Sequence, residues 1–185
     1  MMGVVAGIGT AGVAAVGLVL GVQLWRSGFR FSPRWGIRGD GWDVGRWAPK
    51  WPTWHCGTPQ GPSWDNPAID IAAPLKPAPG EPVFDKSRYS SFWGTPLDSF
   101  LQHIPHVDTL IMVGVTTYFC VRYTVEDAFS RDFKVLVIAD CTTATNDPIQ
   151  AKVPGSGQYV AALRDFSIGL GDVGTLAELE QDLSH

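Results

Sequence analysis

Two short apolar runs, separated by a helical pattern, constrain the fold of this chain more than any other feature. Residues 110–113 form a continuous hydrophobic run closed by Gly114, and residues 133–139 form a second run followed by Asp140. Strands buried on both faces of a parallel sheet have this appearance. Between the two runs, five residues recur at helical spacing on one face: Val121, Thr124, Val125, Ala128 and Phe129. The segment therefore predicts a βαβ unit, whose ligands gather beyond the carboxyl ends of the strands.

Cys120 lies where the predicted helix begins, at this carboxyl-end rim. The hydroxyls of Thr116 and Thr117 are candidate caps for the helix. A thiol in the first turn of a helix feels the positive end of the helix dipole, which favours the nucleophilic thiolate near neutral pH. Free cysteine is also a common core residue, so position alone leaves a packing role open. The placement predicts that Cys120 is a more reactive thiol than Cys56 or Cys141.

A second segment, residues 79–98, is predicted to bring a cation to the same rim. It reads as a turn followed by a short strand at residues 83–86. Lys86 would then lie at the carboxyl end of that strand, on the same side of the sheet as Cys120. A lone lysine is ordinarily a solvated surface charge, whereas a cation beside a thiol favours the thiolate.

Taken together, the two segments resemble the isochorismatase-like cysteine hydrolases. The matching stretches are residues 79–98 and 114–121, then Asp127-Ala128 and residues 137–140, within a resemblance that covers about residues 64 to 185. This family includes nicotinamidases, N-carbamoylsarcosine amidases, ureidoacrylate hydrolases and biuret hydrolases. The resemblance implies an α/β fold with three layers: a Rossmann-like, mainly parallel sheet with helices on both faces.

The resemblance also implies a mechanism and the residues that carry it. Cys120 would attack a carbonyl carbon of a small-molecule amide or ureide, the amine would leave, and water would hydrolyse the acyl-enzyme. Lys86 matches the catalytic lysine of the family. The backbone N–H groups of Thr116 and Cys120 match its oxyanion hole, beside a cis peptide expected between Val115 and Thr116. The predicted substrate-binding residues are aromatic: Tyr89, Phe92, Trp93 and Tyr118. No cofactor and no metal are expected.

One part of the family pattern has no counterpart in the sequence. Family members begin with a strand that ends in an aspartate, which moves protons between the thiol and the leaving amine. The first acidic residue of this chain is Asp40, and Asp40 and Asp43 lie in a Gly- and Trp-rich stretch. The first strand is therefore predicted to be missing or replaced by residues 1–12. Two functions follow: a cysteine hydrolase with an altered amino terminus, or a catalytically impaired or silent relative that acts as a structural or interaction protein.

Residues 1–25 carry no charge and are rich in Gly, Ala and Val. They are long enough to span a membrane, and the arginines that follow would place the remainder in the cytoplasm. The alternative is a helix at residues 14–18 and a buried strand at residues 21–25. We expect a cytoplasmic protein, with an amino-terminal membrane anchor as the alternative.

Residues 26–75 are predicted to be an irregular region, because prolines interrupt any periodicity. Seven of the eight tryptophans fall between Trp25 and Trp64, interleaved with arginines. Trp and Arg are enriched in interfaces, which suggests a subunit contact in a homo-oligomer or a cover over the pocket. A loop that packs its own aromatic residues on the domain explains the same pattern. Residues 76–185 are the best-matching core of one domain spanning residues 1–185.

Composition excludes other classes of function. The net charge of −4 and the pI near 5.4 argue against a nucleic-acid partner, which would require a basic face. The three cysteines are an odd number without CxxC spacing, so neither a disulfide framework nor a zinc site is indicated. The pair His55–Cys56 has no further ligands nearby in the sequence, and we assign no metal to it.

Overall fold

A computed structural model describes residues 22–24, 30–46, 64, 66–144 and 157–184. These residues contain six strands: β1 (Val22–Leu24), β2 (Arg30–Trp35), β3 (Val83–Lys86), β4 (Thr109–Val115), β5 (Lys134–Thr143) and β6 (Asp172–Gly174). The helices are α1 (Leu97–Gln102), α2 (Arg122–Phe129), α3 (Gln158–Gly169) and α4 (Leu176–Leu183). Short turns of 3-10 helix lie at Pro67–Ile69 and Ala73–Leu75, and a π-helical turn at Thr117–Val121.

The strands form one sheet in the order β3-β2-β1-β4-β5-β6. The pairs β2–β3, β4–β5 and β5–β6 are parallel, which confirms the mainly parallel α/β sheet. The exception is β1, which is antiparallel to both of its neighbours. Only residues 25–29 separate β1 from β2, and a parallel connection needs a crossover of about a dozen residues or more. The short connection therefore dictates the antiparallel direction of β1.

Side chains of β4 alternate between two cores on the two faces of the sheet. Leu110 and Met112 lie in a buried cluster that also holds residues of α1, α2 and α3. Ile111 packs on the other face with Ile138 of β5 and Leu179 of α4. A strand covered by helices on both faces must be apolar along its whole length, which explains the continuous hydrophobic run in the sequence.

The prediction that residues 26–75 are irregular is wrong at β2, because Arg30–Trp35 is a strand parallel to β3. Pro33 argued against a strand, since proline cannot donate a hydrogen bond to a neighbouring strand. Within the described residues, β1 pairs with Arg30 and Phe31 of β2. Pro33 lies beyond these described pairs, opposite Phe84 of the parallel neighbour β3.

Most of the amino-terminal predictions lie outside the described residues. The predicted strand at residues 21–25 is present as β1, whereas the predicted helix at residues 14–18 is not part of the described chain. No helix in the described ranges is both long enough and apolar enough to cross a membrane.

The pairing of β4 with β5 contains an irregularity next to the candidate site. Met112 is opposite Val137, whereas Gly114 is opposite Thr142, so the register shifts between these two pairs. Gly114 has φ 114°, a backbone conformation that residues other than glycine rarely adopt. β5 consequently continues past Ala139, where the sequence predicted its end, and places Thr142 beside the carboxyl end of β4.

Candidate active site

The turn that carries Cys120 follows β4 directly. The peptide bond between Val115 and Thr116 is cis, as the family resemblance implies. The chain then forms the π-helical turn, in which the Val121 N–H donates to the Thr116 carbonyl at 3.2 Å. α2 continues from this turn at Arg122. Cys120 is therefore in a π-helical turn instead of the first turn of an α-helix, and it is only 5% exposed.

Lys86, the last residue of β3, reaches Cys120 from the side. Its Nζ donates to the carbonyl of Arg88 at 2.8 Å and to the carbonyl of Tyr89 at 2.7 Å. Its ammonium is also close enough to the Cys120 thiol for the two groups to interact electrostatically. The residue is 1% exposed, so this ammonium is not a solvated surface charge. The structure thus brings the two predicted catalytic side chains together at the carboxyl ends of β3 and β4.

Burial dominates the electrostatics of this pair. It raises the pKa of the Cys120 thiol, while the Lys86 charge, its hydrogen bond and the Thr116 N–H partly offset the increase. Burial also lowers the pKa of Lys86, which the interaction with Cys120 partly offsets. The sequence predicted a thiol that ionises near neutral pH, and this is wrong. The pKa of Cys120 is raised, because the loss of hydration outweighs the favourable neighbours. Two groups in such close contact titrate as a pair.

Threonine hydroxyls anchor the Cys120 turn to its surroundings. The Thr124 Oγ1 donates to the Cys120 carbonyl at 2.6 Å and accepts the Ser91 N–H at 3.0 Å. The Thr117 and Thr142 hydroxyls share a buried hydrogen bond. The sequence suggested Thr117 only as a helix cap. It gave no sign of Thr142, because the register shift in β5 has no sequence signature.

Replacing Thr124 by Val is expected to destabilise the fold. Valine has nearly the same shape but leaves the buried Ser91 N–H without its acceptor, which costs about 1–3 kcal/mol. The free energy of unfolding, measured by urea denaturation, should fall by about that amount. Thr124→Ser keeps the hydroxyl and serves as the matched control. Equal stability of Thr124→Val and the wild type would show that the hydrogen bond from the Ser91 N–H to Thr124 does not stabilise the fold.

The proposed oxyanion-hole residues also meet at this turn. The Thr116 backbone is close enough to the Cys120 thiol to lower its pKa, so this N–H lies beside the atom that would attack a carbonyl. Thr116 is buried together with Cys120. A backbone donor that is fixed by the fold before substrate arrives is the kind of group that stabilises an oxyanion.

Two of the four predicted substrate-binding residues lie in an aromatic cluster around the turn. The Tyr89 ring stacks on Phe119 at a centroid distance of 4.7 Å and on Tyr123 at 5.3 Å. Tyr118 contacts Phe119 at 4.4 Å. Phe119 and Tyr123 were not among the residues predicted from the sequence. Their proximity to Tyr89 depends on how the loop after β3 folds onto the Cys120 turn.

The other two predicted substrate-binding residues differ strongly in exposure. Phe92 is 4% exposed, and its ring faces Phe133 at 6.4 Å and the Arg131 guanidinium at 4.6 Å. It therefore packs in the buried cluster that also holds Cys120, and its role as a substrate contact stays a prediction. Trp93 is 57% exposed, with the Arg88 guanidinium 5.0 Å from its ring.

Almost all carboxylates of this chain belong to described residues. Of its 18 acidic residues, only Asp65 and Asp147 lie outside the described residues. None of the described carboxylates contributes to the pKa of Cys120 or of Lys86. No counterpart of the family aspartate is thus found at the thiol within the described residues.

Asp40 and Asp43 are held by Arg38 in their own turn. Asp40 forms an ion pair with the Arg38 guanidinium at 2.6 Å, and this hydrogen bond together with the Trp42 N–H lowers its pKa to about 2. Asp43 accepts the Arg38 backbone N–H at 2.9 Å. A carboxyl group with that pKa is ionised at neutral pH, so Asp40 has no proton to give to a leaving amine.

Cys120 is expected to react with iodoacetamide faster than the other described cysteine, Cys141. Both thiols are buried, but Lys86 lowers the pKa of Cys120, whereas the charge of Asp140 raises that of Cys141. Because the pKa of Cys120 is still raised overall, its rate should climb as pH increases above neutral. Mass spectrometry of a Cys56→Ser variant checks this order, and earlier labelling of Cys141 would contradict it.

A protein-family model matches the part of the chain that contains this site. Residues 52–162 match the family model of the isochorismatase domain. The chain belongs to the isochorismatase family. The matched residues include both Lys86 and Cys120.

Two similar proteins are named as an amidohydrolase and an amidase. The chain is 34% identical over 122 residues to a ureidoacrylate amidohydrolase of Methylorubrum extorquens, covering 66% of this chain and 44% of that protein. It is 37% identical over 131 residues to an N-carbamoylsarcosine amidase of Arthrobacter sp, covering 71% of this chain and 44% of the relative. The matched region is thus less than half the length of either relative.

Solved structures share the fold. A cysteine hydrolase from Pseudomonas syringae pv. phaseolicola superposes with a TM-score of 0.71 and 28% sequence identity. The superposition covers 82% of this chain and 70% of that protein. The three-layer architecture predicted from the sequence is therefore confirmed.

Proposed function

We propose that this protein is a cysteine hydrolase that cleaves an amide or ureide C–N bond of a small molecule through a covalent acyl-enzyme on Cys120. The observation that carries the proposal is that Cys120 and Lys86 are buried together and interact, with the Thr116 backbone beside the same thiol. A nucleophile, a cation and a fixed backbone donor at one point are the components of acyl transfer.

The reaction follows from the roles of these groups. The Cys120 sulfur attacks the carbonyl carbon, and the backbone N–H groups of Thr116 and Cys120 stabilise the negative charge that develops on the carbonyl oxygen. The C–N bond then breaks, leaving a thioester on Cys120. Water hydrolyses the thioester and regenerates the thiol. Tyr89 and Tyr118, in the aromatic cluster beside the turn, are the proposed substrate contacts.

The class of substrate follows from the relatives. They are named for ureidoacrylate and N-carbamoylsarcosine, and each compound contains a carbonyl carbon bonded to nitrogen. Breaking that bond is the reaction that a cysteine nucleophile and an oxyanion hole assist. Small ureides and amides are therefore the first compounds to test.

A substrate panel tests the proposal. Wild-type protein and Cys120→Ala are incubated with small amides and ureides, and ammonia or amine release is measured. Turnover by the wild type alone supports the proposal. Equal turnover by the two proteins would show that Cys120 is not the nucleophile.

The absence of a carboxylate at the thiol in the described chain favours a second candidate function. A family member without a proton carrier would be a silent relative that acts through its surface. Trp42 and Trp93 are exposed large hydrophobic residues that such a surface would offer. No turnover of any compound, and no acylation of Cys120 by an activated ester, would support this candidate.

A further inference from the structure

Lys86 is placed to do more than stabilise a thiolate. We propose that Lys86 is the proton carrier of the reaction, taking the proton of the Cys120 thiol and delivering it to the leaving nitrogen. This inference rests on the proposed function and replaces the carboxylate that other family members use for the same step.

The hydrogen bonds of Lys86 suit both protonation states. A neutral amine has two N–H groups and one lone pair, whereas an ammonium has three N–H groups. The carbonyls of Arg88 and Tyr89 take two N–H groups in either state. Cys120 interacts with the same Nζ, so the third position can offer a lone pair to a thiol or an N–H to a thiolate. The proton can therefore cross between sulfur and nitrogen without any change of partner.

Burial brings two states of the pair closer in free energy: the thiolate with the ammonium, and the thiol with the neutral amine. In water, an amine is more basic than a thiolate by about 2 pKa units, so the ion pair is preferred. Burial penalises both charges, raising the pKa of Cys120 and lowering that of Lys86. A proton carrier has to release its proton as readily as it accepts it, and similar proton affinities of donor and acceptor meet that condition.

The other candidates for this role are few. The described carboxylates make no contribution to the pKa of either partner. Asp65 and Asp147 are the two acidic residues outside the described chain. Within the given sequence, these two are therefore the carboxylates to compare with Lys86 for the role, which makes the proposal testable with few variants.

Each step balances. The Lys86 amine takes the thiol proton as sulfur bonds to the carbonyl carbon, giving an ammonium and an oxyanion. The ammonium gives this proton to nitrogen as the C–N bond breaks. The amine then takes a proton from water as the water oxygen attacks the thioester, and returns it to sulfur as the C–S bond breaks. Lys86 and Cys120 end in their starting states.

The test compares Lys86→Ala with Lys134→Ala, which removes an exposed lysine that pairs with Asp108. Amide or ureide turnover of Lys86→Ala should fall by about 10²–10⁴-fold, and added methylamine should restore part of it in proportion to its concentration. Lys134→Ala should keep wild-type turnover, as should Asp65→Asn and Asp147→Asn. At alkaline pH, where the thiol ionises unaided, Lys86→Ala should still be acylated by an activated ester.

Several outcomes would overturn the inference. These are full amide turnover in Lys86→Ala, a folded Lys86→Ala that methylamine does not restore, or a comparable loss in Asp65→Asn or Asp147→Asn. If Lys86→Ala does not fold, Lys86→Met retains the volume of the side chain and is tested in the same way. If neither variant folds, the two aspartate variants decide the question. Wild-type protein that shows neither acylation nor turnover overturns the proposed function itself.

Discussion

Replacing Cys120 by alanine is expected to abolish acyl-enzyme formation and to lower hydrolysis of any true substrate by about 10⁴-fold or more, as loss of a covalent nucleophile does in other acyl-transfer enzymes. The reason is that, among the described residues, no other thiol at this site can take over the covalent step. Lys86 holds its position through the carbonyls of Arg88 and Tyr89. Removing the sulfur therefore leaves the rest of the site in place without a nucleophile.

Intact-mass spectrometry after mixing with an activated ester checks this directly, because the wild type should gain the mass of one acyl group and the variant should not. Cys141→Ala is the matched control. Cys141 is also buried, but it lies in the core on the other face of the sheet with Ile111 and Leu179. Acylation of Cys120→Ala at the wild-type rate would show that a different residue is the nucleophile.

The part of the fold that the sequence predicted is the part determined by local pattern. The apolar runs of β4 and β5 and the helical spacing between them specify a βαβ unit. The carboxyl ends of strands in one parallel sheet share an edge, which predicts that Lys86 and Cys120 lie together. These inferences need only the order of the elements and the direction of the strands.

The remainder depends on contacts between distant residues. The direction of β1 follows from its short connection to β2, but Pro33 argues against a strand at β2 when only the sequence is known. The pKa shift of Cys120 depends on burial by several elements at once, whereas the sequence shows only the helix that follows it. Phe92 and Tyr89 are three residues apart in one loop, yet one enters the core and the other borders the candidate site.

Activated esters are expected to be hydrolysed about 10²–10⁴-fold faster than amides with the same acyl group. The leaving group of such an ester departs without a proton, whereas an amide nitrogen must acquire one as the C–N bond breaks. An ammonium such as that of Lys86 is a weaker acid than the carboxylic acid of other family members, so proton delivery to nitrogen should limit amide cleavage. Stopped-flow measurements should show a burst of acyl-enzyme with the ester and none with the amide.

A series of anilides sharpens this prediction. Rates should rise steeply as the leaving aniline becomes less basic, because a better leaving group needs less help from a proton donor. Ordinary enzymatic rates on simple amides, with no dependence on the leaving group, would instead indicate a carboxylic acid at the thiol. Asp65→Asn and Asp147→Asn are then the variants that identify it, since Asp40 and Asp43 are both engaged by Arg38 and should be replaceable without loss of activity.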